Sequence, residues 1–132
     1  LSVAAALEVQ KIINNKKFLN DVNLKGEFVR KFVSEKLKNS YFFKNIRGRG
    51  LRNSIEYSTP NNTLFGYLIK KEMFDENILI DAKWHRICLP IALNISFIEL
   101  EKNLNILVNK FQNVENNWPL LSKRRVKIEK FF

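Results

Sequence analysis

Residues 46 to 57 read IRGRGLRNSIEY, and the fold turns on how this stretch is taken. It holds β-branched and aromatic residues together with two glycines, Gly48 and Gly50, and the turn cluster Ser58-Thr59-Pro60-Asn61-Asn62 follows it. Such a composition predicts a strand whose glycines bend it or admit another backbone. The glycines do not make a phosphate loop: the Gly-x-Gly-x-x-Gly spacing and the Gly-Lys-Ser/Thr ending are both missing, and a strand, not a helix, is opened.

Upstream of that strand the period is helical. Val3 to Ile13 is rich in helix formers and is interrupted by Asn14-Asn15. After Asn20-Asp21, the apolar residues Val22, Leu24, Phe28, Val29, Phe32, Val33 and Leu37 recur three and four apart, which predicts an amphipathic helix ending near Asn39-Ser40. Downstream, Leu64, Leu68, Ile69 and Phe74 predict a third helix with Asn62 or Thr63 as its N-cap. Ile78-Leu79-Ile80 then reads as a short buried strand and His85 to Leu89 as another. Ser96 caps a last helix carrying Ile98, Leu100, Leu104, Leu107, Val108 and Phe111. The predicted fold class is α+β, a small sheet packed against helices in the order α-α-β-α-β-β-α. Residues 1–112 form the domain, and 113–132, with Trp118-Pro119 and Lys123-Arg124-Arg125, form a basic C-terminal tail or an extra docking element.

The chain has 132 residues and a formal charge of +10, and 45% of it is hydrophobic. That is enough apolar surface to offset the entropy of ordering, so a folded domain is expected. Cys88 is the only cysteine, which excludes a disulfide scaffold and points to a reducing, cytoplasmic setting. The longest nearly apolar stretch, Ile87 to Leu93, is far short of the ~20 residues of a membrane span. Of the 23 cations 16 are lysine, in a sequence crowded with Asn, Ile and Phe; all four use A/T-rich codons, so base composition accounts for much of the charge and nucleic acid is an unlikely partner. Arg47, Arg49, Arg52 and the run 123–125 leave open a basic module that binds RNA or a protein. His85, the only histidine, has no placed partner and reads as a strand or turn residue, and Cys88 reads as a small strand hydrophobe.

The order Ile-Arg-Gly-Arg-Gly-Leu-Arg-Asn-Ser-Ile-Glu at 46–56 resembles the Arg-Gly-x-Gly-Leu strand, followed by a Glu, of the class III pyridoxal-phosphate aminotransferases. The similarity extends over residues 3 to 111: an Ala-rich helix (VAAALEV), a helix carrying Gly26-Glu27, and a strand ending in Pro90 before a Ser-capped helix. The resemblance implies the C-terminal small domain of a fold-type-I enzyme. It places the Schiff-base lysine, the acidic partner of the pyridine nitrogen and the main phosphate contacts of pyridoxal 5'-phosphate upstream of Leu1, so that this portion alone is inactive.

The parent would move an amino group between an amine or amino acid and an oxo acid, as a homodimer. The gapless match sets Asp81-Ala82 where many members carry the Arg-Pro whose guanidinium grips a substrate carboxylate, and Ile91-Ala92-Leu93 at Pro-Pro-Leu. A carboxylate cannot make that fork. Asp81 and Arg86 are therefore the candidate substrate-binding residues: Asp81 favours an amine-bearing or neutral substrate, and Arg86, five residues on, is a substitute cation.

Overall fold

The computed structural model describes residues 1–123, so Arg124 and Arg125 of the basic run lie outside the described residues. Two helices, α1 (Ser2–Ile13) and α2 (Lys16–Leu37), lead into the strands β1 (Phe43–Arg49) and β2 (Arg52–Tyr57). Helix α3 (Asn62–Asp75), strands β3 (Asp81–Lys83) and β4 (Arg86–Pro90), helix α4 (Phe97–Asn116) and the short α5 (Trp118–Leu121) follow among the described residues. The strands form one antiparallel sheet in the order β1-β2-β4-β3. The α+β class with a small sheet against helices is what the sequence predicts.

Residues 46–57 are not one bent strand but a hairpin, with Arg49 paired to Arg52 across Gly50-Leu51. Gly50 has φ +52°, in the left-handed region where a side chain is strained, so the second glycine closes a turn. The one glycine of α2, Gly26, explains why this turn sits where it does. A Cβ on Gly26 would lie 2.0 Å from the Gly50 carbonyl oxygen, so only glycine lets the helix seat against the hairpin tip. Beside that contact the buried Asn53 donates to the Gly50 carbonyl at 3.0 Å and accepts from Arg30 at 3.1 Å.

Ile78-Leu79-Ile80 is irregular backbone, and the strand follows it at Asp81–Lys83. Ile80 is buried, which accounts for the apolar run, but pairing with β4 begins only at Asp81↔Cys88. The element order is therefore α-α-β-β-α-β-β-α-α. The caps fall where short polar side chains can accept backbone N–H groups. Asn15 accepts from Lys17 at 2.9 Å and Ser96 from Glu99 at 3.2 Å. Asn61 caps α3, accepting from Leu64 at 3.0 Å, while Asn62, expected as its cap, instead accepts from the Thr59 N–H.

One face of the sheet carries Ile46, Ile55, Ile87 and Leu89, all buried. Val29, Val33 and Leu37 of α2, Phe65, Ile69 and Met73 of α3, and Leu100, Leu104, Leu107 and Phe111 of α4 cover it, at three- and four-residue spacings that put each set on one helix face. Burying each such side chain contributes ~1.5–3 kcal/mol. Helix α4 runs through residue 112 to Asn116, and Val114 and Trp118 join the same core. Phe42 packs edge-on against both Phe65 (5.3 Å) and Trp118 (5.7 Å). Among the described residues no helix is long and apolar enough to cross a membrane.

Candidate functional site

The opposite face of the sheet has no helix on it. Side chains alternate along a strand, so the residues between the buried ones point the other way. The registers align them in rows: Asn45, Glu56, Arg86 and Lys83 in one, Arg47, Ser54, Cys88 and Asp81 in the next, and Arg49, Arg52 and Pro90 at the hairpin end. Five cations face two carboxylates here, so the surface is net positive and suited to an anionic or polar neighbour.

Asp81 and Arg86, the two residues expected to contact substrate, both belong to this face. Asp81 stands beside Lys83 (3.5 Å) on its own strand and Lys70 (3.8 Å) on α3, so its carboxylate is framed by two ammonium groups. Arg86 is exposed and lies between Glu56 and Lys83 in the register. A like charge opposite it on β3 disfavours the isolated pair by a fraction of ~1 kcal/mol, which leaves the guanidinium open to an anion. Arg47, in turn, makes an ion pair with Glu56. Arg49 and Arg52 face each other, both exposed. Glu56 closes the segment 46–56 that carries the resemblance, but nothing in the sequence sets Lys70 and Lys83 around Asp81 and Arg86. The alternation of polar residues through 45–56 puts Glu56 on this face, whereas Lys70 and Lys83 lie outside that stretch and only the fold and the register bring them to it.

The hairpin between β3 and β4 is fixed from below. Tyr57, 2% exposed, has its hydroxyl 3.1 Å from the Asn62 carbonyl and 3.0 Å from that of Trp84, tying the start of α3 to the β3–β4 turn. Burial pushes the Tyr57 hydroxyl up to about 12, because the phenolate would be desolvated. Trp84 takes φ +53°, a strained conformation for a bulky residue, and its ring is exposed. His85 is exposed beside it, as a turn residue. Cys88 is half-buried, with its sulfur 3.6 Å from the Ser54 hydroxyl. Cys88 lies opposite Asp81 in the register, but among the described residues neither the His85 nor the Cys88 side chain is hydrogen-bonded or ion-paired to an acid or base, and no group of His, Cys, Asp and Glu could hold a metal ion.

Behind β4, an apolar cleft of about 110 Å³ is lined by Met73, Ile78, Ile80, Leu89 and Leu104, with Asn103 its one polar side chain. It has no amine to form an imine, no cation for a phosphate and no acid for a pyridine nitrogen. These residues do not fit pyridoxal phosphate.

No protein-family model matches this chain. No curated protein matches it either. Solved structures do. The ornithine aminotransferase of Toxoplasma gondii, in a structure with partial occupancy of PLP at its active site, is 20% identical with a TM-score of 0.76, over 86% of this chain and 27% of that one. Plasmodium falciparum ornithine delta-aminotransferase is 22% identical with a TM-score of 0.74, over 84% and 29%. Acetylornithine aminotransferase from Elizabethkingia anophelis is 16% identical with a TM-score of 0.68, over 74% and 25%. The chain thus spans between a quarter and three tenths of the length of these enzymes, and across that span it has the fold of a portion of an aminotransferase.

Proposed function

We propose that this chain is the C-terminal portion of a class III, pyridoxal-phosphate-dependent aminotransferase that moves an amino group between an amine or amino acid and an oxo acid. The observation that carries the reading is the shared fold, with the Arg-Gly-x-Gly-Leu segment forming the hairpin at its centre. In this reading the enzyme is a cytoplasmic homodimer, residues 1–112 are its small domain with the following residues an extra element docked on it through Val114 and Trp118, and the cofactor is held by residues that precede Leu1. The uncovered sheet face turns toward that preceding part, which brings Asp81 and Arg86 to the substrate side.

A carboxylate flanked by Lys70 and Lys83 repels a substrate carboxylate less than a bare one, and Arg86 supplies the fork that Asp81 cannot. The portion alone is inactive, since the lysine chemistry and the electron sink reside elsewhere. The test is spectroscopic. The parent protein should show the absorbance of bound pyridoxal phosphate and transaminate, and the 132-residue chain should do neither. Cofactor binding and turnover by the chain alone overturn the reading, as does a parent without an upstream strand-borne lysine. The cationic face motivates a rival, an RNA-binding module. It requires a mobility shift that survives at about 0.15 M salt.

A further inference from the structure

Among the described residues, helix α1 is the one long element that packs on almost nothing. None of its residues is buried, and Leu7 and Ile12 are each 58% exposed. Its apolar residues form two rows, Val3 with Leu7 at i, i+4 and Ala5 with Val9 and Ile12 at i, i+4, i+7. The charged residues are confined to one side, where Glu8 and Lys11 pair at i, i+3. A helix apolar on most of its circumference is normally enclosed, and an unpacked helix of this length is marginal in water. Its net charge is zero in a chain of +10. It therefore differs from the open sheet face: α1 offers an apolar seat.

Resting on the reading above, we propose that α1 is the seat of the part of the parent chain that precedes Leu1, and that an apolar surface of that part covers the Val3–Leu7 row and the Val9–Ile12 row. Two facts select this occupant. The chain covers only 25–29% of the aminotransferases whose fold it shares, so under that reading most of the parent lies outside it. Two copies of this chain, each at +10, repel on approach, which disfavours a second copy as the cover.

Backbone amide hydrogen exchange over Ser2–Ile13 tests this, measured in the parent protein and in the 132-residue chain at two concentrations. The expected result is exchange at least ~100-fold slower in the parent, the difference between an enclosed and a fraying helix. The paired substitution Leu7→Glu and Ile12→Glu in the parent should return that exchange to the rate of the isolated chain. Equal rates in a parent that shows the cofactor's absorbance overturn the inference and leave the functional reading intact. Slow exchange in the isolated chain that strengthens with concentration assigns α1 to a second copy and overturns it as well. A parent without the cofactor's absorbance removes the functional reading, and the inference with it.

Discussion

Ile55 and Glu56 are neighbours in β2 and lie on opposite faces of the same sheet. Ile55 is wholly buried under helices, whereas Glu56 faces the side with no helix and pairs with Arg47. The covered face is constrained by shape, down to a glycine that admits a carbonyl. The open face is constrained by charge, and its residues interact through long side chains that can rearrange in water. The difference teaches where stability resides and where function is free to vary. A strand alternates residue by residue, so one stretch of chain can serve both without compromise.

Three substitutions break or sharpen this contrast. Gly26→Ala drives a methyl group into the Gly50 backbone, which cannot move without opening the hairpin, and should destabilise by about 3 kcal/mol or more. An unchanged urea midpoint would remove the helix–hairpin seam from the account.

Tyr57→Phe removes the single O–H that the Asn62 and Trp84 carbonyls share and should cost about 1–2 kcal/mol near neutral pH. The folded Tyr57 keeps its proton to about 12 while the unfolded chain loses it near 10. Above the unfolded value the unfolded state therefore ionises first. Stability from this group is intact below pH 10 and falls by about 2–3 kcal/mol as pH rises to about 12. The phenylalanine variant should lack that part of the fall in urea titrations across the range, and an identical decline in both proteins would exclude Tyr57 as its source.

Arg86→Ala, on the open face, should change stability by less than about 0.5 kcal/mol. A loss comparable to that of Gly26→Ala would mean that the open face is structural after all.

The long periodic helices were legible because each carries its own signal. Val29, Val33 and Leu37 mark one face of α2, and Leu100, Leu104, Leu107 and Phe111 one face of α4, whatever they pack on. The hairpin was not, since Arg-Gly-Arg-Gly-Leu-Arg lacks the usual Asn-Gly turn signal and its two glycines read equally as a bend. The run 78–80 was misplaced for a related reason: burial of Ile80 makes it apolar, while strand pairing is decided by β4, far from the local pattern.

The resemblance singled out Asp81 and Arg86, and both stand on one face in adjacent strands. Lys70 is a different case. It reaches Asp81 from α3, across an irregular segment, and no spacing in the sequence announces that meeting.

Glu115 near the end of α4 accepts hydrogen bonds from the Ser40 hydroxyl and the Phe42 N–H, partners 75 and 73 positions earlier. Trp118 lies just beyond, against Phe42 and Phe65. The sheet is built of neighbouring hairpins and can pair as soon as its strands exist, but the aromatic cluster draws on segments spread across most of the sequence. During synthesis on a ribosome the hairpins emerge first and wait, half-clad, for α4. The residues that fasten the entrance to the first strand thus leave the tunnel after every strand of the sheet, and a nascent chain stopped short of them holds its strands with no latch.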